Sequence, residues 1–383
     1  MSLHGHLKKM ESSAPISPNM NSKRHSSILL RVYQILSVLS AAFLIGSAFV
    51  IADYKLSILP WRSIVLVSSP KPNTCEVQSR PAGTEGLPKG IVSQTSDLEM
   101  KPLWGSPKKK NQKSSKNLLA MAVGIKQKES VDKIIKKFSS SDFVVMLFHY
   151  DGVVNDWKDF QWSDRAIHVS AINQTKWWFA KRFLHPDIVS EYSYIFLWDE
   201  DLGVYHFNVQ RYLSIIKEEG LEISQPALDP RKSELHHPIT ARERGSRVHR
   251  RINRVRKGIQ CDNSSTGPPC TGFVEMMAPV FSRASWRCAW HMIQNDLFYG
   301  WGVDFQLGYC TQGDRTKNVG VVDSEYLVHY GLPTLGGQEA TSSKNVSSDR
   351  NEVRKWSLIE LEVFKNRWNK AAKEDDCWTD PYK

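Results

Sequence analysis

Two carboxylates follow a run of bulky apolar residues near the middle of this 383-residue chain. The run at 194–198 ends abruptly in Asp199-Glu200-Asp201. In an extended chain, residues two apart project to the same side, so Asp199 and Asp201 can face one ion while Glu200 faces away. Carboxylate oxygens suit Mg²⁺ or Mn²⁺, which can in turn hold diphosphate oxygens. The triplet predicts a divalent metal site, and a solvated loop or a helix cap is the alternative.

Two further candidates lie downstream. The turn Gly300-Trp301-Gly302 lets the backbone and an indole face approach a ligand, and Asp304 follows just after it. Its carboxylate is a candidate general base toward an acceptor hydroxyl, or a cap of the helix that it begins. His329 stands near the end of a later strand-like run and is either a metal ligand or a structural histidine.

The elements that would position these residues alternate along the chain. Apolar runs typical of strands alternate with segments of helical spacing, at 117–125, 130–138, 142–150, 166–172, 176–192 and 193–202. Such alternation predicts an α/β fold with a mostly parallel sheet covered by helices on both faces. Ligands bind such open sheets at the carboxyl ends of the strands. Besides the acidic triplet, the strand ends carry Gly124 and Asp151.

The N-terminal region reads as a membrane anchor. Residues 32–52 contain no charged side chain and are long enough to cross a bilayer as a helix, which takes about 20 residues. Basic residues precede the segment, whereas the charges of Asp53 and Lys55 just after it cancel. The N-terminus is therefore expected in the cytosol. We predict a cytosolic tail at 1–31 and a transmembrane signal anchor at 32–52, giving a single-pass type II protein. A buried soluble helix and a cleaved signal peptide are the alternatives.

Composition divides the rest of the chain. Residues 53–116 are rich in Pro, Ser, Gly and Lys and predict a flexible stem. A luminal domain is expected at 117–337, and a C-terminal extension with a helix at 338–383.

Cysteines and glycosylation signals agree with a luminal location. The six cysteines lack Cys-x-x-Cys spacing, which favours disulfides in an oxidising compartment over zinc. Cys261 and Cys270 flank a turn-rich loop and are predicted to form a local bridge. Asn173, Asn263 and Asn345 each begin a glycosylation sequon. These features predict a glycoprotein of the Golgi or another secretory-pathway membrane.

The segment 231–257 supplies much of the positive charge. It holds ten Lys or Arg residues against Glu234 and Glu243, in a chain of net charge +11. Apolar residues recur there at helical spacing, which predicts a basic amphipathic helix at 247–257. A luminal location argues against nucleic acid as its partner. An acidic glycan, donor phosphates or the membrane surface are the candidate contacts, and a solvated helix face is the simplest alternative.

An Asp-x-Asp triplet after an apolar strand, a later Gly-Trp-Gly with an acid, and a C-terminal histidine resemble, in this order, a GT-A type glycosyltransferase. Residues 117 to about 337 also resemble a plant family of uncharacterised type II membrane proteins labelled lysine-ketoglutarate reductase trans-splicing related. That resemblance rests on SYIFLWDEDLGV, LEISQPALD, GFVEMMAPVFSR and YGWGVDFQLGYC.

The GT-A resemblance implies roles for individual residues. It makes Asp199, Asp201 and His329 ligands of Mn²⁺ or Mg²⁺ and puts Asp304 at the acid position near the acceptor. Gly124 and Asp151 would lie near the nucleotide of a sugar donor. The implied activity is transfer of a sugar from a nucleotide sugar to a luminal glycan or glycoconjugate.

Two alternatives to that enzyme remain. One is a catalytically silent GT-A-like domain that binds carbohydrate or scaffolds other proteins. The other, suggested only by the plant family's label, is a nuclear RNA-processing factor, which would require the protein to be soluble.

Overall fold

The structure, a computed structural model, describes residues 36, 37, 40, 75, 80–92, 116–253, 260–332 and 343–383, the last range without side chains at 343–350. The chain divides into two compact units, Met1–Asn73 and Thr74–Lys383, and the second contains everything described below. The predicted anchor at 32–52 lies outside the described residues except at three positions. Within the described ranges, no helix combines the length and the apolar character needed to cross a membrane.

One mixed sheet is the centre of the second unit. In the described ranges its strands are β1 (Lys116–Val123), β2 (Phe143–His149), β3 (Ile167–Ser170), β4 (Tyr192–Trp198), β5 (Leu202–Gly203), β6 (Ile223–Leu228), β7 (Val248–His249), β8 (Val280–Ser282) and β9 (Val319–His329). Their order is β3-β2-β1-β4-β8-β6-β9-β5, with β7 paired to β9. The longer ladders, β1 with β2 and β4, β2 with β3, and β6 with β9, are parallel. The short β8 runs antiparallel between β4 and β6.

Helices cover both faces of this sheet. They are α1 (Lys128–Ile135), α2 (Lys176–Phe183), α3 (Val209–Glu218), α4 (Arg283–Met292), α5 (Arg315–Asn318) and α6 (Ser343–Glu374). Polar side chains fix where three of them begin, because Thr175, Asn208 and Ser282 accept hydrogen bonds from the first free backbone N–H groups of α2, α3 and α4. The sequence prediction of an α/β fold with a mostly parallel sheet is thus confirmed.

Alternation along the strands produces two separate cores. Leu118 and Ala120 of β1 face a core shared with α2, α4 and the C-terminal half of α6. Leu119 and Met121 face the other side, where α1 and α3 pack. Successive side chains of a strand point to opposite faces, so a strand that is apolar at every position needs cover on both sides.

Residues 80–92 differ from the predicted flexible stem. Leu87 and Ile91 are buried in the core that includes α6, and Arg80 forms an ion pair with Asp375 at 2.6 Å. The average composition of 53–116 conceals these apolar residues, which bury enough surface to order their segment. The rest of the predicted stem lies outside the described residues apart from Cys75 and Lys116.

Three disulfides link the cysteines. Cys261 pairs with Cys270, which confirms the predicted local bridge. The other two join Cys75 to Cys377 and Cys288 to Cys310.

The predicted basic helix at 247–257 does not form over its described part. Val248 and His249 instead form β7, and Arg251 makes an isolated bridge with Thr271. Residues 254–259 lie outside the described residues. Helical spacing of apolar residues was outweighed here by pairing with β9, a strand about 70 residues away in the sequence that spacing cannot reveal.

Candidate functional site

The parallel strands β1, β2, β4, β6 and β9 bring their carboxyl ends to one edge of the sheet, as expected for a ligand site in an α/β fold. The acidic triplet continues β4 beyond its last residue. Asp199 stays beside the segment before β8, because its N–H donates to the Met277 carbonyl at 2.8 Å, and the chain bends at Glu200. This edge, with the acids described below, is called the acidic edge.

Glu200 joins three strand ends. Its carboxyl accepts a hydrogen bond from the Gly124 N–H at 2.7 Å and another from the Tyr150 hydroxyl. The side chain is buried, and burial raises the pKa of Glu200 to about 8. Glu200 therefore holds the loops after β1 and β2.

Gly124 and Asp151, predicted to lie near a nucleotide, contact the same two loops. Asp151 accepts hydrogen bonds from the N–H groups of Ile125 at 2.6 Å and Val153 at 2.9 Å. A Cβ atom at Gly124 would clash with the Tyr150 side chain, so a larger residue there requires this ring to shift. These contacts order the loops at the strand ends, and the nucleotide-binding role of both residues stays a prediction.

Asp199 has a cationic partner. The ammonium group of Lys176, the first residue of α2, lies 2.6 Å from Asp199 Oδ1 and also donates to the Met276 carbonyl. Lys176 is buried, whereas the Asp199 side chain is about one-third exposed. No motif in the sequence around Lys176 indicated that it would pair with Asp199.

Asp201 and His329 face each other. Asp201 Oδ2 lies 3.6 Å from His329 Nε2 and accepts a hydrogen bond from the Leu332 N–H. His329 Nδ1 lies 3.2 Å from the Glu234 carbonyl oxygen, which can only accept, so Nδ1 carries the hydrogen. In the neutral ring Nε2 then presents a lone pair to a carboxylate, an arrangement that a cation between them would stabilise.

The residues present fit a divalent metal ion in part. Two ligands of one ion stand about 3 Å or slightly more apart, which agrees with the separation of Asp201 and His329. Asp199 does not join them at ligand distance. Within the described residues, no group of three or more His, Cys, Asp or Glu side chains is arranged to hold a metal ion. The metal role of Asp199, Asp201 and His329 therefore stays a prediction.

Asp304 begins a 3₁₀ helix, Asp304–Cys310. Gly300 and Gly302 before it have φ values of +70° and +94°, which L side chains rarely adopt. The turn leaves Trp301 partly exposed and delivers Asp304 to a position where it is only 8% exposed. Asp304 accepts from the Phe305 N–H, and burial raises the pKa of its carboxyl to about 7. A base with such a pKa titrates in the range useful for general base catalysis.

Glu275 is the acid that sequence reasoning missed. It lies in the segment between the ends of β4 and β6, is 6% exposed, and donates its N–H to the Gln225 side-chain oxygen. Burial and the nearby negative charges of Asp304 and Asp199 raise the pKa of Glu275 to about 8. The available signal was a single glutamate inside the apolar run GFVEMMAPVF.

Taken together, the acidic edge presents the acids Asp199, Asp201, Glu275 and Asp304 with one histidine and one buried lysine. Carboxylates and a histidine of this kind can hold a cation or accept a proton from a hydroxyl group.

The fold and the site define an α/β protein with an acidic site at the carboxyl edge of its sheet. A family model described as "Protein of unknown function (DUF707)" matches residues 78–374, and the chain belongs to the DUF707 family. No curated protein matches the chain.

Solved structures similar to the chain are distant. S. aureus TarS is 9% identical, with a TM-score of 0.36 over 57% of this chain and 37% of that one. A structure of TarS 1-349 gives the same identity and TM-score over 68% and 73%. The glycosyltransferase GlyE of Streptococcus pneumoniae TIGR4 is 11% identical, with a TM-score of 0.30 over 67% and 64%. The chain thus spans little more than a third of TarS, and at these TM-scores the similarities do not bear on function.

Proposed function

We propose that the chain is a divalent-metal-dependent glycosyltransferase that moves a sugar from a nucleotide sugar to a hydroxyl of a luminal glycan or glycoconjugate. The observation that supports it most is the pairing of Asp201 with His329. The Glu234 carbonyl orients the ring so that Nε2 faces Asp201 Oδ2 at 3.6 Å, as in a histidine held for a metal ion.

The acids of the edge take different parts in this proposal. Asp201 and His329 would hold Mn²⁺ or Mg²⁺, with Asp199 beside them. When bound, the ion would neutralise the charge that develops on the departing diphosphate. Asp304 accepts the proton of the acceptor hydroxyl, and its raised pKa of about 7 suits that role near neutral pH. Gly124 and Asp151 would border the nucleotide.

The proposed location is a Golgi or other secretory-pathway membrane, in type II orientation with the second unit in the lumen. Three disulfides are those expected in an oxidising compartment. Two of the predicted glycosylation sites, Asn173 and Asn263, are exposed on the surface.

Thermal unfolding of the full chain, held in a detergent without a sugar headgroup, tests the proposal. UDP or GDP added together with Mn²⁺ should raise the midpoint by several degrees, because saturation at 100 times Kd adds about 2.7 kcal/mol to the unfolding free energy. Either addition alone should do much less. No response to any nucleoside diphosphate with Mn²⁺ would exclude the enzyme.

Matched variants locate the response. Asp201→Asn keeps the shape of the side chain but removes the charge and should abolish the Mn²⁺-dependent shift. Asp314→Asn is the same substitution at an exposed helix cap before α5 and should leave the shift intact.

A catalytically silent carbohydrate-binding or scaffold protein is the second candidate, and the Lys176–Asp199 ion pair favours it. The ammonium group binds Asp199 Oδ1 and so competes with a metal ion for this carboxylate. In that case the wild type should not respond to nucleotide with Mn²⁺, and Lys176→Met, which frees Asp199, should not create a response.

A further inference from the structure

A cleft lies at the edge of the sheet opposite to the acidic edge. Its volume is about 660 Å³, within the range of about 300–1,000 Å³ that is usual for small-molecule sites. It is found where β4 and β6 begin, between the C-terminal end of α3, the N-terminal end of α4 and the segment 80–92. Because β4 is seven residues long, about 20 Å of strand separates this cleft from the acidic triplet. The cleft is therefore separate from the candidate site described above.

Three cationic side chains line this cleft, which we call the basic cleft. Lys217 stands in the last turn of α3, and Arg283 and Arg287 stand in the first turns of α4. Among the described residues, no carboxylate lies within ion-pair distance of Lys217 or Arg283. Arg287 has a loose partner, since its Nη2 lies 3.4 Å from the half-exposed carboxylate of Asp187. Cations that are not neutralised in a concave site attract anions.

Contacts with the protein hold the two arginines of the basic cleft in place. Arg283 Nε donates to the Tyr192 carbonyl at 3.2 Å, and no described residue accepts from its two Nη groups. The methylene chain of Arg287 lies against Gly83 of the segment 80–92. An ordered guanidinium loses little entropy on binding, and its planar N–H groups match two oxygens of a phosphate or sulfate.

The remaining polar groups of the basic cleft suit a sugar. Glu222, a half-buried glutamate just before β6, also lines it, but its carboxylate already accepts from the Ser282 hydroxyl. Three cations against this one carboxylate leave the described lining with a net charge of +2. Tyr194 and Gln312 add a hydroxyl and an amide, which can exchange hydrogen bonds with sugar hydroxyls. The lining thus combines a positive charge with neutral hydrogen-bonding groups.

The basic segment 231–257, in contrast, neutralises part of its own charge. Arg247 pairs with Glu218 and Glu219, and Arg250 also pairs with Glu219. These ion pairs would have to break before the two arginines could bind an external anion. Lys217 and Arg283 in the basic cleft have no such pairs to break among the described residues.

We infer that the basic cleft binds a phosphate or sulfate ester of a sugar. The ester group lies between the guanidinium groups and the Lys217 ammonium group, and the sugar hydroxyls contact the neutral polar side chains. The acids of the acidic edge repel such a ligand, so the two ends of the sheet select different molecules. The inference goes beyond the proposed function and does not depend on it.

Saturation-transfer NMR on the full chain tests the inference, in a phosphate-free buffer and a detergent whose headgroup is uncharged and contains no sugar. Titrations measure the Kd of glucose 6-phosphate and of glucose 6-sulfate, with glucose as the neutral comparison. Displacement by inorganic phosphate or sulfate distinguishes an ester from a free ion. The ionic strength is kept constant, because salt screens the attraction. Both esters should bind about tenfold more tightly than glucose and than the inorganic ions, since each comparison removes at least one good contact.

Variants of the lining locate the binding. Arg283→Gln should weaken the binding of both esters about tenfold, because a charge-assisted contact is lost. Glu222→Gln should strengthen it severalfold, because it removes the negative charge and keeps an acceptor for Ser282. Arg165→Gln is the matched control, since this exposed arginine precedes β3 at the outer edge of the sheet. It removes the same charge and should leave the Kd of the esters unchanged.

A general attraction to a positive surface would give other results. Equal weakening in Arg165→Gln and Arg283→Gln overturns the inference, as do esters that bind no better than glucose or than the inorganic ions. If Arg283→Gln fails to fold, Lys217→Glu changes an exposed side chain and should weaken ester binding at least tenfold; unchanged binding there also overturns the inference. Nucleotide binding with Mn²⁺ should be the same in all these variants. Its absence rejects the transferase and leaves the role of the basic cleft to the ester titrations.

Discussion

Glu200 and Glu275 are both buried glutamates at the acidic edge, and burial raises the pKa of each to about 8. Glu200 accepts from the Gly124 N–H and the Tyr150 hydroxyl, and these bonds join the ends of β1, β2 and β4. Glu275 has one oxygen to which no described residue donates, and it stands among other acids. The first carboxyl is explained by the fold that it holds together, and the second is not.

The same contrast extends to the neighbours of each glutamate. Around Glu200, both oxygens of Asp151 are hydrogen-bonded to the backbone and Gly124 fits against Tyr150. Around Glu275 stand the acids Asp304, Asp199 and Glu234, whose negative charges, in addition to burial, raise its pKa. A satisfied polar network stabilises a structure, whereas a buried acid among like charges destabilises it. Mutations in the two halves should therefore have opposite effects on stability.

The largest expected loss of stability is in the satisfied half. Glu200→Ala removes the acceptor of two buried donors and should lower the unfolding free energy by about 3–5 kcal/mol. Urea unfolding followed by tryptophan fluorescence measures it. Glu200→Gln, which retains one acceptor oxygen, should cost clearly less; an equal loss in both variants would contradict the hydrogen-bond explanation.

The buried carboxyl of Glu275 should make the unfolding free energy depend on pH. Glu275 is protonated in the folded chain up to about pH 8 but ionises near 4.5 when unfolded, so its stabilising contribution, present below about pH 4.5, is lost as the pH rises toward 8. Between pH 5 and 8 the wild type should lose about 2–4 kcal/mol relative to Glu275→Gln in EDTA buffer.

The difference in unfolding free energy between the wild type and Glu275→Gln removes the contributions of other titrating groups, because both proteins contain them. His149, whose burial lowers its pKa to about 4, is one such group. Glu222→Gln should show no such change relative to the wild type. A flat difference for Glu275→Gln would mean that this carboxyl is not held neutral.

A glycine substitution tests how closely the loops held by Glu200 are packed. Gly124→Ala should destabilise by about 2 kcal/mol, because the added Cβ would meet the Tyr150 ring while the backbone, at φ −129°, accepts any residue. Gly220→Ala is the comparison, since its surroundings are open and only its φ of +64° opposes a side chain, at about 1 kcal/mol. Thermal melts of both variants would show whether packing at Gly124 has the greater effect.

The smallest expected effect on stability is at Asp304. Asp304→Asn keeps an oxygen for the Phe305 N–H and removes a buried charge, so the unfolding free energy should change by less than about 1 kcal/mol. Sugar release or transfer from the nucleotide sugar should fall by about 100-fold or more if Asp304 is the base. An active Asp304→Asn protein would assign the base to another residue.

Local sequence patterns were enough to predict several strands and part of the acidic edge. Apolar runs gave β1, β2 and β4, and Glu200, expected to face away from the predicted ion, contacts Gly124 and Tyr150. Two cysteines around a turn-rich loop gave the bridge from Cys261 to Cys270. These features depend on residues close in sequence, where spacing fixes direction.

Features that depend on residues far apart in the sequence could not be predicted from the spacing of residues. The helical period at 247–257 gave way to β7 because β9 offered backbone partners. Residues 80–92 and α6 look peripheral in composition, yet Leu87 and Phe364 enter one core.

The sequence by itself thus determined the fold class, the acidic triplet and the place of Asp304 after its glycine turn. Only the tertiary structure decided what each acid meets: Lys176 at Asp199, His329 at Asp201, and, among the described residues, no donor at Glu275 Oε2. The reason is the insertion of β8 between β4 and β6, which brings Glu275 to the acidic edge from more than 70 residues downstream of the triplet.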